Sequence, residues 1–192
     1  VTEYQPSLFS ASELRGCYKV TPTNSYTLSP AALADWKQRI FAYQQQVQQA
    51  IPLQQGRLFN LAAQADPADP DTLDPFSLPQ QNTEFWRWQA DSAGVAALYF
   101  VIDSEASILL YVGETVKSNQ RWKGEHDCKR YLLNYRQVHY QHQLPSTLGI
   151  AFWPAAPAET RPRQRLELAL IKKWRSPFNK ENWQFWGTPF TA

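Results

Sequence analysis

The feature that most constrains this chain is a change of texture near residue 93. Before it, proline, glutamine and acidic residues interrupt every period but one; after it, two β-rich runs follow each other at 96–102 and 107–112. Asp103-Ser-Glu-Ala-Ser, a polar loop of hairpin length, joins them, so they are expected to fold back on one another as strands. Leu-Gly-Ile-Ala-Phe-Trp within 147–153 reads as a third strand, closed by Pro154. One helical stretch begins near Ser118, is broken near Gly124 and resumes to about Arg136. Another is opened by Thr160 and Pro162, runs to about Trp174 and is stopped by Ser176-Pro177. The order strand, strand, helix, strand, helix predicts an α+β fold: a small central antiparallel three-stranded sheet flanked by helices.

Residues 1–92 are expected to be a mostly helical and irregular N-terminal extension of the 93–192 domain. Ser29-Pro30 reads as an N-cap followed by proline at the first helical position. Leu33, Trp36, Ile40, Tyr43 and Val47 then recur at three- and four-residue steps, one apolar stripe of a helix over 30–50 that Pro52 ends. Residues 66–82 hold Pro67, Pro70, Pro75 and Pro79 among four aspartates and read as an irregular acidic connection. Glu84-Phe-Trp-Arg-Trp-Gln89 looks like a short extended piece. The extension is expected to pack against the C-terminal domain, or to recruit a protein partner or a second copy of the chain.

Composition narrows the class. Of the 192 residues 43% are hydrophobic and eight are Trp, enough for a packed core, which argues against general disorder. The longest apolar run, 95–102, falls well short of the roughly 18 residues of a membrane span. The first residues carry neither a basic start nor an apolar stretch, so no signal peptide is visible and the expected compartment is the cytoplasm. Cys17 and Cys128 cannot make a disulfide framework. Residues 1–92 hold six Lys/Arg against nine Asp/Glu, a balance of −3; residues 93–192 hold thirteen against eight, a balance of +5. A basic half beside an acidic one points to an anionic ligand for the former, phosphate first.

Within the basic half, Ala97-Leu98-Tyr99 on the first strand is followed by Tyr111-Val112-Gly113 at the end of the second. Arg121 comes ten residues after Tyr111 on the next helical stretch, Glu167 lies on the last long helix, and Asn179 follows it by twelve. In order, spacing and type of element this constellation, covering roughly residues 94–182, resembles the GIY-YIG nuclease family. The pattern departs from the family at three places. Ala97 stands for the first glycine, Glu114 stands where lysine is common, and Glu125 occupies the family's His/Tyr position with His126 one residue on.

The resemblance implies a metal-dependent endonuclease cutting phosphodiester bonds in nucleic acid, DNA first with RNA open. One Mg²⁺, or Mn²⁺, would be held by Glu167, waters and the scissile phosphate. Arg121 would clamp a non-bridging oxygen. Tyr99 or Tyr111 would serve as general base, aided by His126, Asn179 would brace the site, and Gly113 would allow close backbone approach. Lys117, Lys123, Lys129, Arg130 and Arg136 surround the Arg121 segment and are expected to track the phosphate backbone. Trp122 and Tyr131 are candidates for base stacking or for the core.

Other readings stay open. The same fold could serve only to bind nucleic acid or protein. Arg163 stands four residues before Glu167 and could form a plain helix-surface pair with it. His126, Cys128, His139 and His142 include zinc-ligand types, although the two-residue gap between the last pair is short for a zinc finger. The simpler expectation makes Cys128 a small buried residue and His139 and His142 surface polars.

Overall fold

The computed structural model describes residues 28–51, 69–83, 94–118 and 127–190. Four strands, β1 (Gln80–Asn82), β2 (Ala97–Asp103), β3 (Ile108–Thr115) and β4 (Leu148–Trp153), form one antiparallel sheet in the order β1-β4-β2-β3. The main helices are α1 (Pro30–Gln49), α2 (Asp127–Gln141) and α3 (Thr160–Trp174), with the short α4 (Trp183–Trp186) near the end. No helix among the described residues is long and apolar enough to cross a membrane.

The α+β architecture agrees with the expectation, but the sheet has four strands, not three. The additional strand, β1, comes from the stretch read as an acidic connection. Its residues Gln80, Gln81 and Asn82 are all exposed, so no hydrophobic alternation announces it; the strand exists because β4 offers it an open edge. β3 also runs three residues past the expected 112, which puts Tyr111 and Gly113 inside the strand.

β2 is buried along its whole length, because helices cover both faces of the sheet. On one face Leu33, Trp36 and Ile40 of α1 join Tyr99, Val101, Leu110, Cys128, Tyr131, Tyr135 and Phe178. On the other, Leu98, Phe100, Leu109 and Val112 meet Leu166, Leu170, Ile171 and Trp174 of α3. The stripe read from α1 is therefore a wall of the core, and Ser29 caps the helix by accepting from Ala32 N at 3.2 Å.

β3 is the free edge of the sheet, and side-chain amides close it. Gln44 of α1, itself buried, donates from Nε2 to the Leu109 carbonyl at 2.9 Å and accepts from Leu109 N at 2.7 Å. The same nitrogen reaches the Trp174 carbonyl at the end of α3. Replacing Gln44 by Leu would leave buried backbone groups without partners, at about 1–3 kcal/mol each. Gln44→Leu should lower the urea midpoint accordingly, whereas Gln45→Leu, on the exposed face of the same helix, should stay within about 0.5 kcal/mol of the parent.

Candidate active site at the edge of strand β3

The antiparallel register places Tyr99 opposite Gly113, with Val101 opposite Tyr111. Tyr99, Tyr111 and Gly113 thus share one face of the sheet. The Tyr99 and Tyr111 rings stack with centroids 6.0 Å apart, and Phe152 of β4 flanks Tyr99 at 5.9 Å. A Cβ on Gly113 would strike the far end of the Tyr99 ring, at Cζ and Oη. The glycine therefore serves the tyrosine: its missing side chain is the seat of the phenol, an aromatic–glycine pairing across strands.

Asn179 fixes this stretch from outside. Its Oδ1 accepts from Val112 N at 3.0 Å and its Nδ2 donates to Val112 O at 2.9 Å, so both backbone groups between Tyr111 and Gly113 are held by one amide. Ser176 Oγ donates to Asn179 Oδ1 at 2.6 Å, orienting the amide, and Phe178 N bonds the Leu110 carbonyl at 2.9 Å. The turn that presents Asn179 begins at Arg175, in the left-handed conformation at φ 46°.

Glu167 approaches from α3. Its neighbours one turn away, Arg163, Leu170 and Ile171, and Trp174 two turns on are all buried, yet Glu167 remains partly exposed. It therefore stands on the helix face turned toward the sheet, at a place that solvent still reaches. Its charge is felt at Tyr111: burial drives the Tyr111 phenol well above the ordinary tyrosine value of about 10, and Tyr99, Cys128 and Glu167 nearby, with a hydrogen bond to Tyr99, add to the shift. At neutral pH Tyr111 is a phenol, a hydrogen-bond donor. The structure thus brings together Tyr99, Tyr111 and Gly113, with Asn179 holding the strand, and sets Cys128 and Glu167 within electrostatic reach of Tyr111. Arg121, Trp122, Lys123, Glu125 and His126 lie outside the described residues, as does the extended piece expected at 84–89.

The simple Arg163–Glu167 pair is replaced by another. Arg163 is fully buried; its Nε donates to Glu114 Oε2 at 2.7 Å, and Nη1 donates to the Pro157 and Ala158 carbonyls at 2.9 and 2.8 Å. Glu114 points to the α3 face of the sheet because it alternates with Gly113. A buried guanidinium needs such a counter-charge, which gives the acidic residue at 114 a structural reason.

The histidines also differ from expectation. His139 is buried, not a surface polar: Nδ1 donates to the Tyr135 carbonyl at 2.8 Å, leaving Nε2 to accept from Lys37 Nζ at 3.2 Å. Burial lowers its pKa. Tyr135 donates to buried Asp103 at 2.7 Å, and Lys37 lies 3.9 Å from the same carboxylate. His142 is half-buried against the Leu28 carbonyl at 2.8 Å. Cys128 is buried. Among the described residues no three His, Cys, Asp or Glu side chains are grouped to hold a metal, so the zinc reading gains no support there.

The expected phosphate-tracking residues divide. Lys117 is exposed just past β3, and Lys129 is half-buried. Arg130 lies 3.7 Å from Asp127, which Lys180 also approaches at 3.1 Å. Arg136 turns to Thr83 beside β1, donating to Oγ1 at 2.7 Å. Tyr131 is buried against Phe178 and Trp183, a core residue. No family model matches the chain, and no curated protein and no solved structure matches it.

Gly113→Ala tests the seat of Tyr99. The added methyl must displace the phenol, and overpacking of this kind costs about 1–3 kcal/mol. Thermal unfolding should register that loss, and near-ultraviolet circular dichroism should change as the stacked tyrosines separate. An unchanged tyrosine signal would contradict the close approach.

Proposed function

We propose that the protein is a divalent-metal-dependent endonuclease that hydrolyses phosphodiester bonds in nucleic acid, with DNA as first substrate. The observation that carries this reading is the stacked Tyr99–Tyr111 pair at the amide-clamped edge of β3, with the partly exposed Glu167 near enough for its charge to act on Tyr111. These are the residues on which the resemblance to GIY-YIG nucleases rests, and 68 positions separate Tyr99 from Glu167 in the chain. Convergence over such a separation supports a site more strongly than the separate motifs do.

The residues suit Mg²⁺ or Mn²⁺. Mg²⁺ is commonly held by one or two carboxylates while keeping several waters, which fits the partly exposed Glu167 and needs no cluster of three side chains. When bound, the ion supplies positive charge to the phosphoryl and leaving oxygens. A water attacks phosphorus and gives its proton to one tyrosine of the pair in its phenolate form, while the bond to the 3′-oxygen breaks and that oxygen takes a proton from solvent. Arg121 holds a non-bridging oxygen as charge builds, with His126 as an auxiliary proton carrier. Asn179 and Gly113 act by position: one fixes the strand and the other seats Tyr99.

Glu167→Gln removes the charge at nearly constant size. Mg²⁺-dependent cleavage of plasmid should fall by at least about 10²-fold, with DNA binding in the absence of metal retained; wild-type-like cleavage would reject the metal-holding role.

The pH dependence follows from the direction of the Tyr111 shift. Burial and negative neighbours hold its proton on, so the basic form grows as pH rises. If Tyr111 takes the proton, kcat should climb about tenfold per pH unit on the acid side of the working phenol pKa. Tyr111→Phe should then flatten the profile. Loss of the slope in Tyr99→Phe instead would move the role to Tyr99, and a slope surviving in both variants would remove the tyrosine base from the mechanism.

A further inference from the structure

The inward and marginal faces of α3 are used by the core and by Glu167, but its outward face is a different surface. Arg161, Arg165, Leu168 and Lys172 follow at steps of four, three and four residues, so they form one stripe along the helix. All four are exposed, as is Gln164 beside them. Arg161, Gln164, Arg165 and Leu168 line a shallow groove of about 490 Å³. The only acid within α3 is Glu167, and none of the ion pairs among the described residues uses Arg161, Arg165 or Lys172. This contrasts with Arg130 and Lys180, which share Asp127, and with Arg163, which is matched to Glu114.

We infer that the outward stripe of α3 binds the phosphate backbone of nucleic acid through Arg161, Arg165 and Lys172. At about 1.5 Å rise per residue the three cations span about 16 Å. That length corresponds to about five nucleotides of one duplex strand at 3.4 Å each. Two guanidinium forks match phosphate in bidentate fashion, and Gln164 adds a neutral amide between them. A helix built to lie on a membrane would oppose its cations with a broad exposed apolar face; here Leu168, 40% exposed, is the single apolar member of the stripe. Glu167 lies about 100° round the helix from Leu168, on the margin next to the sheet, so the stripe holds backbone apart from the proposed catalytic carboxylate. The inference rests on the nuclease reading for its substrate class and adds a binding surface to it.

The test separates the two. Binding of the full chain to a short DNA duplex is measured in EDTA across a salt series, without cleavage. Cleavage of the same duplex in Mg²⁺ is measured separately. R161Q/R165Q/K172Q should weaken binding and reduce the log–log salt slope by about 2–3, at about 0.9 per lost contact on duplex DNA. Its thermal unfolding should match the parent, since all three side chains are exposed, and turnover at saturating DNA should stay within a few-fold. An unchanged slope overturns the inference even if the parent cleaves DNA. A stripe-dependent slope in a protein that cleaves nothing with Mg²⁺ or Mn²⁺ supports the binding surface and rejects the nuclease reading. Stripe-dependent binding to phosphatidylserine vesicles with an unchanged DNA slope overturns the inference in favour of an anionic membrane.

Discussion

An edge strand inside a protein this size must find partners for a row of backbone groups that no neighbouring strand will take. β3 is such a strand, and its closure organises the molecule. Gln44 pairs with both groups of Leu109, Phe178 N with the Leu110 carbonyl, and Asn179 with both groups of Val112. These partners come from α1 and from the turn after α3, elements 135 positions apart at Gln44 and Asn179. To deliver them, α1 must cross the edge of the sheet, and α3 must end where its last carbonyl meets Gln44. Asn182 holds that end in place by donating to the carbonyls of Ile171 and Ser176.

The closure also sets the geometry of the candidate site. Val112 points to the α3 face of the sheet, while Tyr111 and Gly113 on either side of it point to the other. Clamping both backbone groups of Val112 therefore fixes two site positions at once. Tyr99 gains its own position from Gly113 across the strand pair and from its ring neighbours Tyr111 and Phe152. A site that must hold reacting groups to within about 0.5 Å needs this kind of support from beneath.

What was legible in the sequence follows the range of the signals. The hairpin, β4, α1 and α3 are written in local periodicity and in caps such as Ser29-Pro30, and the structure has them within a few residues. β1 was not legible, because three exposed polar residues acquire strand geometry only from β4. Gln44 was hidden among the glutamines of α1, although its place four residues after Ile40 puts it in the apolar stripe and could have marked it as a buried amide with a task. His139 was misread for the same reason: a polar residue on a helix looks solvated until Tyr135, Asp103 and Lys37 are seen around it. The residues of the candidate site could be named from the motif pattern, but not their contacts. Gly113 illustrates the limit, since nothing in the motif tells that the Tyr99 ring fills the space beside it.

The three faces of α3 join these threads through charge. Arg163 is buried at the inner face, where an unmatched cation would be costly, and Glu114 on β3 neutralises it. A lysine at 114 would set two cations against each other on the buried side of the helix. The acid at 114 and the arginine at 163 therefore make sense as a pair, although 49 positions separate them. Their mutual neutralisation keeps the field of Arg163 short-ranged, as for any close ion pair. One turn further on, Glu167 adds to the rise of the Tyr111 phenol that burial mainly causes. Charge on this helix is thus sorted by depth: a matched pair inside, the partly exposed Glu167 at the margin, and cations unmatched by any described carboxylate on the solvent side.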